Sequence, residues 1–427
     1  LPHISGLPHI SGLPHISGLP HISGGLPHNH GTPGRIVPAA VATGARTQRR
    51  GDEMTSTLQA VLDRAVEQGK VAGITAAAVN RDDTIFAGGA GGARVADGVE
   101  MRVDSIFQIF AMTNAITSLA AMQLVEQGAL DLDAPGGNLL PALAAPNVLG
   151  EDGSLRPATR PITLRQLLTH TSGFGYGFTS DRLARFLAER GPGSAVDTPL
   201  LFEPGERWQY GVSTDWAGRM VEAASGITLD AYVGGHILRP LGMRDTAYAL
   251  SDDQVARHVS THRRRDDGGL DELPFTAPQP RVGGGAGLAS TARDYARFLR
   301  FMLTDGALDG ARLLSPASMA TFTANHTAEI VAGEWKTAAP ETSNDLACSD
   351  GGTARHSLGF LRAGRDVPGA RAEGSLSWGG IANTYFWIDR RTGVAGTVFM
   401  QVMPFADPTC LGVLDEFERT LYATVRA

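Results

Sequence analysis

Apolar residues first recur at a regular spacing near residue 55. Leu58, Val61, Leu62 and Val66 follow the three- and four-residue spacing of one helical face, which predicts a helix over Thr55–Gly69. The pattern then changes from a helical to an extended one.

A run rich in Ile, Ala and Val predicts a buried strand over Gly73–Asn80. Asp82 and Asp83 then turn the chain into Thr84–Ala87, so the two segments together predict a β-hairpin.

Helical spacing returns over Met112–Gln127 and ends at Gly128, a natural C-cap. Between about residues 130 and 280, loops rich in Pro and Gly alternate with short predicted helices. These are Leu164–His170, Thr214–Ala224 and Leu229–Leu238.

The last third of the chain mixes both patterns. Thr291–Leu303 is predicted as a helix, and Leu411–Val425 as a closing amphipathic helix. Strands are predicted at Ala372–Trp378, Thr384–Asp389 and Gly393–Val402. We therefore expect an α+β sandwich, in which an antiparallel sheet is flanked by N- and C-terminal helices and a mostly helical region is inserted.

The first residues of the chain do not resemble a folded segment. Leu-Pro-His-Ile-Ser-Gly occurs four times over residues 1–24, and Pro and Gly in every unit exclude a helix or a paired strand. We expect residues 1–53 to be a disordered or expression-derived leader, with Met54 opening the organised sequence. No basic stretch with an apolar core precedes Met54, so we expect a cytoplasmic protein.

The composition excludes several classes of partner. The 427 residues are 42% hydrophobic and 19% charged, with a formal net charge of −7. This balance does not predict nucleic acid as a partner, and no apolar run approaches the roughly 20 residues that span a bilayer. Cys348 and Cys410 are too few and too far apart for a metal site or a disulfide framework. A small-molecule ligand, with no metal or cofactor, is the expectation.

Five segments share an order along the chain that is typical of one family. They are Ser105–Asp133, which contains Ala111-Met112-Thr113-Asn114; Leu167–Gly173; Pro204–Ser213; Gly283–Asp294; and Ser377–Asp389. Together they resemble the serine β-lactamase-like superfamily, in particular the class C-like family VIII carboxylesterases and their transesterase and amide-hydrolase relatives. The resemblance covers residues 54–427. It implies an α/β part at about 54–108 and 285–427 and a helical lobe at about 109–284.

In that superfamily a Ser-x-x-Lys motif opens a helix and supplies the nucleophile and its base. The resemblance places Ala111 at the serine position and Asn114 at the lysine position. Alanine has no oxygen with which to attack a carbonyl, and an asparagine amide does not take up a proton near neutral pH.

The remaining family motifs are present. Tyr210 matches the second-motif tyrosine, and Trp378-Gly379-Gly380 matches the strand that borders the pocket. The resemblance also implies an oxyanion hole made by the backbone N–H groups of Ala111 and Gly380, which a change of side chain does not remove. Without a neighbouring lysine, the phenolate form of Tyr210 is less favoured, so we expect Tyr210 to be a hydrogen-bond donor or acid.

A relocated lysine is hard to find. Of the 37 basic residues only Lys70 and Lys336 are lysines, and both lie in polar turns far from the motifs. Arginine is no substitute because its guanidinium stays protonated.

Several further residues are candidates for the pocket. Aromatic walls are expected from Phe110, Phe174, Tyr176, Trp208 and Trp378, and Asn383 is a candidate pocket amide. His170, Ser172, Ser213 and Ser377 are weaker candidates, because no base accompanies the serines. Core packing alone is the alternative for four of these aromatic residues, namely Phe174, Tyr176, Trp208 and Trp378.

Three functions stay open on the sequence. The first is a repurposed enzyme in which the oxyanion hole and Tyr210 act on a carbonyl compound without a covalent intermediate, as in isomerisation, elimination, hydration or cyclisation. The second is a carboxylesterase or amide hydrolase inactivated by substitution at positions 111 and 114. The third is a pseudoenzyme that binds a ligand without turnover.

Overall fold

The computed structural model describes residues 39–190, 197–347 and 352–426, with only the main chain for 39–50. The chain divides into two compact units, residues 1–47 and 48–427. The hexapeptide repeats and Cys348 lie outside the described residues.

Eleven α-helices occur in the described residues. In chain order they are α1 (Ala39–Glu67), α2 (Thr113–Glu126), α3 (Leu164–Leu168), α4 (Asp181–Arg190), α5 (Ser213–Ser225), α6 (Leu229–Val233), α7 (Arg239–Leu241), α8 (Asp252–Ala256), α9 (Ala292–Leu303), α10 (Pro316–Thr323) and α11 (Pro408–Arg426). Single 3₁₀ turns cover Phe110–Met112, Gly136–Asn138, Pro141–Leu143 and Gly177–Thr179, and a π-turn covers Gly234–Leu238.

Seventeen strands, most of them short, occur in the same ranges. They are β1 (Gly73–Asn80), β2 (Thr84–Arg94), β3 (Val99–Glu100), β4 (Phe107–Gln108), β5 (Asn147–Leu149), β6 (Leu155–Pro157), β7 (His262–Arg264), β8 (Leu270–Glu272), β9 (Ala289–Ser290), β10 (Ala307–Leu308), β11 (Ala311–Arg312), β12 (Arg355–His356), β13 (Leu361–Arg362), β14 (Leu376–Gly380), β15 (Thr384–Asp389), β16 (Val394–Phe399) and β17 (Val402–Met403).

The main sheet has eight strands in the order β12-β13-β14-β15-β16-β1-β2-β3, and every neighbouring pair is antiparallel. The predicted α+β fold with a large antiparallel sheet is therefore confirmed. The central β1 joins the N-terminal hairpin to β16, so the two ends of the chain share one sheet.

Side chains of β15 alternate between the two faces of the sheet, as strand geometry requires. Trp387 packs on Phe417 of α11, with ring centroids 6.3 Å apart, and Phe386 packs on Tyr295 of α9 at 5.2 Å. Helices therefore cover both faces. On the α11 face, α1 lies alongside, where Arg64 and Glu416 form an ion pair of 2.7 Å. The flanking of the sheet by the first and last helices is confirmed.

Several predicted bounds differ from the structure. Helix α1 begins at Ala39 rather than Thr55, so residues 39–53 of the predicted leader are helical. The strand predicted at Ala372–Trp378 is shifted to Leu376–Gly380, and the hairpin strand predicted to end at Ala87 continues to Arg94. The helix predicted over Leu229–Leu238 changes to a π-turn at Gly234. Residues 109–284 hold α2–α8 and the short strands β5–β8. Strands β5 and β6 pair with each other, and β7 pairs with both β8 and β17.

Candidate active site

The N-terminus of α2 carries the first group of site residues. The 3₁₀ turn Phe110–Met112 leads directly into the helix, and Phe110 has a φ of +42°. Two hydrogen bonds hold this turn: Tyr295 Oη donates to the Met112 carbonyl at 3.1 Å, and the N–H of Leu288 donates to Thr113 Oγ1 at 3.3 Å. The main chain at position 111 is thus fixed by neighbours from α9 and the segment before it.

Asn114 lies in the first turn of α2 and is buried, with 1% of its surface exposed. Its Nδ2 donates to the Ala111 carbonyl at 2.8 Å and to Tyr210 Oη at 3.4 Å. Its Oδ1 has no hydrogen-bond partner within the described protein. The predicted triad of Ala111, Asn114 and Tyr210 is therefore assembled in space, with a neutral amide between the other two members.

Tyr210 is buried and Tyr176 is half-buried, and their rings are in edge-to-face contact with centroids 5.1 Å apart. Burial raises the pKa of Tyr210, and the nearby Asp215 carboxylate raises it further, although the hydrogen bond from Asn114 opposes the shift. Burial and the neighbouring Tyr210 also raise the pKa of Tyr176 well above its ordinary value. Both side chains are therefore protonated at neutral pH. Because Asn114 donates to the Tyr210 oxygen, the Tyr210 proton is left for another acceptor.

The end of β14 forms the facing wall. Strand β13 pairs only with Leu376 and Ser377, so the following residues have β15 on one side and a free edge on the other. Glycine is required at 380, because a Cβ there would lie 2.4 Å from the Ile109 carbonyl oxygen. This close approach brings the strand edge against the turn that carries Ala111.

Between these elements lies a cavity of about 170 Å³ with a mostly aromatic lining. Its walls are Phe110, Ala111, Tyr176, Phe178, Tyr210, Arg281, Gly285, Ala286, Trp335, Trp378, Gly379, Ile381 and Phe405. The lining contains no Ser, Thr, Cys, Lys, His, Asp or Glu. Among the described residues, the polar side chains that face this cavity are the two phenols, the Arg281 guanidinium and the tryptophan indoles.

Six of the predicted site residues line the cavity, and five lie outside its wall. Asn114 lies beneath Tyr210, and Gly380 lies under the turn before α2. Phe174 stacks on Trp216 at 5.8 Å, away from the cavity, and Trp208 packs behind Trp378 at 6.5 Å.

Asn383 is the fifth residue outside the wall. Its Nδ2 donates to the carbonyls of Val402 and Pro404, at 2.6 and 2.7 Å. Its Oδ1 accepts from Tyr385 Oη at 2.7 Å and from the N–H of Asp407 at 3.2 Å. Every polar atom of this amide is occupied by the protein itself.

The weaker candidates also lie outside the cavity wall. His170 stacks behind Trp378 at 6.1 Å, and burial lowers its pKa well below the ordinary value. Ser172 and Ser213 share a buried hydroxyl–hydroxyl hydrogen bond of 2.8 Å.

Neither lysine is near the cavity. Lys70 pairs with Glu416 at 3.7 Å, and Lys336 pairs with Asp345 at 2.7 Å, with 88% of the Lys336 side chain exposed. The absence of a substitute lysine at this site stays a prediction.

Sequence reasoning missed Asp215, Arg281 and Trp335. Asp215 lies in the first turn of α5 and accepts a hydrogen bond from the N–H of Gly285 at 3.1 Å, and burial raises its pKa. Trp335 stacks on Tyr210, with centroids 5.6 Å apart. Asp215 follows the motif residue Tyr210 by five positions and lies in a predicted helix, so the sequence offered a signal for it. Arg281 and Trp335 come from irregular segments with no motif.

The described ranges hold no metal-ligand cluster and no membrane-spanning helix. There, no group of three or more His, Cys, Asp or Glu side chains is placed to hold a metal ion. None of the helices in those ranges is both long and apolar enough to cross a bilayer.

The antiparallel sheet, its covering helices and the cavity at the start of α2 define a protein of the serine β-lactamase and penicillin-binding class. The sequence matches the Beta-lactamase family over residues 58–412, and the chain belongs to that family.

The chain is similar to several fungal acyl-transfer proteins. It is 33% identical to the acyltransferase CalJ of Penicillium decumbens over 359 residues, covering 76% of this chain and 82% of that protein. It is 30% identical to lovastatin esterase of Penicillium rubens over 397 residues, covering 86% and 98%. A solved structure of a simvastatin synthase mutant from Aspergillus terreus superimposes with a TM-score of 0.74 at 28% identity, covering 88% and 98% of the two chains. The relatives of this protein therefore include acyltransferases and an esterase.

Proposed function

We propose that this member of the β-lactamase family acts on a small carbonyl compound without forming an acyl-enzyme. The observation that carries the proposal is the cavity lining, which offers no alkyl hydroxyl, thiol, amine or carboxylate. A covalent intermediate of the family type needs a nucleophile and a base within hydrogen-bond reach of each other.

The resemblance to the Ser-x-x-Lys motif supports this proposal at two positions. Ala111 lines the cavity where the serine is expected, and Asn114 occupies the lysine position with its amide between Ala111 and Tyr210. An amide at that place preserves a hydrogen bond to the helix start but accepts no proton.

Binding would use the groups that remain. The proposed oxyanion donors are the N–H of Ala111, which lines the cavity, and the N–H of Gly380, which lies between the lining residues Gly379 and Ile381. Each such donor is worth about 3–4 kcal/mol in an intact enzyme of this kind. Tyr210 is the proposed acid, because its buried phenol keeps its proton and Asn114 already donates to its oxygen. A polarised carbonyl and a proton donor suit enolisation, elimination, hydration or ring closure. The aromatic walls favour an apolar or ring-bearing ligand.

A second function is favoured by the relatives, which include an esterase and acyltransferases. In this alternative the chain is a carboxylesterase or amide hydrolase whose chemistry was lost at positions 111 and 114. A third alternative is a pseudoenzyme that binds the same ligand without turnover.

Acylation separates the proposal from a working hydrolase. The chain is incubated with a fluorophosphonate, a β-lactam and a panel of p-nitrophenyl esters, and its intact mass is recorded. We expect no adduct and no ester hydrolysis above a buffer control. A stoichiometric adduct would show that another residue serves as nucleophile, and the proposal would be wrong.

Back-substitution separates the three alternatives. Ala111→Ser with Asn114→Lys should restore acylation if the chain is a recently altered hydrolase, with Ala111→Ser alone as the matched control that lacks the base. If the double variant stays inert, the cavity has been rebuilt for different chemistry. Once a turnover assay exists, Tyr210→Phe should reduce kcat by about 10²–10⁴-fold if Tyr210 is the acid, whereas a pure binder has no turnover to lose.

A further inference from the structure

The segment Gly283–Gly285 passes the aromatic cavity, and Gly285 is part of the cavity wall. Each of these glycines is held by a side chain from a different part of the fold. The three hydrogen bonds run from the Gly285 N–H to Asp215 Oδ1 at 3.1 Å, from Thr117 Oγ1 to the Gly284 carbonyl at 2.8 Å, and from Tyr248 Oη to the Gly283 carbonyl at 3.2 Å. Of the three side chains that hold the segment, the one with a carboxylate is Asp215.

The charge of Asp215 is not explained by its hydrogen bond. The side chain is half-buried, and burial raises its pKa, so the surroundings disfavour the anion. Arg281 and Arg219 lie near enough to oppose this shift, but Arg219 pairs with Asp197 at 3.8 Å, and within the described residues Asp215 is in no ion pair. An asparagine would offer Gly285 the same acceptor without the cost of a half-buried charge. A perturbed carboxyl group beside a cavity is therefore a candidate for a role in the site.

The carboxylate and a phenol of the cavity meet at Gly285. A Cβ on this residue would lie 2.6 Å from Asp215 Oδ2 and 3.2 Å from Tyr176 Oη. The Tyr176 ring in turn contacts the Tyr210 ring, with centroids 5.1 Å apart. Because Gly285 has no side chain, the carboxylate can approach the pair of phenols.

An anion close to a phenol favours the protonated form of that phenol. Burial is the largest cause of the raised pKa of Tyr176 and of Tyr210, and the Asp215 carboxylate adds to the shift in both. The Asn114 amide, on the other side of Tyr210, is neutral. The charge that acts on Tyr210 is thus that of Asp215.

We propose that Asp215 is a positioning residue of this site: its carboxylate fixes Gly285 against the phenols and holds the hydroxyl protons on Tyr176 and Tyr210. The inference rests on the proposed function, in which Tyr210 is the acid. It adds the group that keeps this acid protonated between turnovers.

The first test measures the acidity of the phenol at position 210. Tyr210 is replaced by difluorotyrosine, a more acidic phenol whose ionisation falls in an accessible pH range, and the full chain is titrated by fluorine NMR. Asp215→Asn keeps an acceptor for Gly285 but removes the anion, so it should raise the acid dissociation constant of this phenol by about tenfold. The matched control is Asp230→Asn, which removes an exposed carboxylate outside the wall of the aromatic cavity and should leave the constant unchanged.

The second test measures how firmly Gly285 is held. Asp215→Ala removes both the charge and the acceptor, so the Gly285 amide should exchange its hydrogen about tenfold faster than in the native chain. In Asp215→Asn, which keeps an acceptor, the exchange rate should stay close to the native one. Hydrogen exchange followed by mass spectrometry gives both rates.

An unchanged dissociation constant in Asp215→Asn, or an equal change in Asp230→Asn, would overturn the role in holding the protons. Unchanged exchange of Gly285 in Asp215→Ala would overturn the role in fixing the wall. Neither measurement needs a substrate or a nucleophile, so neither depends on the acylation experiment. An acyl adduct together with the tenfold change would refute the proposed chemistry and keep the role of Asp215, whereas no adduct together with an unchanged constant would do the reverse.

Discussion

Two buried asparagines that the motifs brought to notice, Asn114 and Asn383, have opposite surroundings. Asn383 satisfies four protein groups with its single amide, at distances of 2.6 to 3.2 Å. Asn114 makes one short hydrogen bond and one of 3.4 Å, and its Oδ1 has no partner within the described protein. Both are buried to a similar degree, with 0% and 1% exposed.

The difference separates a structural amide from an amide at a site. Buried polar groups are normally satisfied, so a fully bonded side chain is explained by the fold alone. A buried acceptor without a protein partner beside a cavity is explained either by a ligand that bonds to it or by the replacement of an earlier residue at that position. The sequence resemblance predicts that position 114 corresponds to the family lysine, and the amide there leaves one buried oxygen without a partner in the described protein.

The largest expected effect is on stability at the structural amide. Asn383→Ala should lower the free energy of unfolding by about 3–5 kcal/mol, because two carbonyls, a phenol and an N–H lose their buried partner. The φ of +54° at this position adds to the cost, since alanine adopts that conformation less readily than asparagine. Urea denaturation measures this loss of unfolding free energy. A loss below about 1 kcal/mol would show that the neighbours find other partners and that the contrast is wrong.

The same substitution at the site should be much milder. Asn114→Ala should lower the free energy of unfolding by about 1 kcal/mol, because it removes one good hydrogen bond together with an unsatisfied oxygen. Its effect should instead appear in ligand binding, since Tyr210 loses the donor that orients its hydroxyl. Paired urea curves of the two alanine variants compare them directly. Equal losses of unfolding free energy in the two variants would show that the two amides contribute alike to stability.

The smallest expected effect is on the free energy of unfolding at acidic pH, whose pH dependence should differ between the two regions. Burial raises the pKa of Asp407, beside Asn383, but the Arg264 guanidinium 3.0 Å away and the N–H of Cys410 more than offset this, so the pKa is lowered. Its stabilisation is present above the unfolded-state pKa and is lost as pH falls through the folded-state pKa.

Asp215, in the other region, has a raised pKa because of burial. Its favourable contribution is present below the unfolded-state pKa of about 3.9 and is lost as pH rises through the folded-state pKa. Between about pH 3 and 7, Asp407→Asn should therefore become more destabilising with rising pH, and Asp215→Asn less so. Urea denaturation at several pH values checks the two slopes, and slopes of the same sign would contradict the assigned pKa directions.

Much of the fold followed from local pattern. Strand β15 begins and ends where alternation and turn residues predicted, because its side chains are packed on both faces of the sheet. The start of α1 was missed because residues 39–53 have no apolar period, although alanine is frequent there and favours a helix by intrinsic propensity.

The site was predictable only where a motif carried it. Ala111, Tyr210 and Trp378 belong to segments whose order along the chain is typical of the family, and all three line the cavity. Trp335 and Arg281 come from irregular chain, and only long-range packing brings them to the cavity. Local sequence contains no signal for such contacts, so the stacking of Trp335 on Tyr210 and the position of Arg281 in the cavity wall required a structure.

Phe110 has a consequence for how this protein could be redesigned. The residue lines both the aromatic cavity and a neighbouring cavity of about 370 Å³, and its main chain, at a φ of +42°, leads directly into the N–H of Ala111. Glycine at this position would relax the main chain, yet it would also remove the phenyl ring that lines both cavities. A substitution at Phe110 would therefore change both the shape of the two cavities and the position of the proposed carbonyl donor. Neither property can be altered alone at this position.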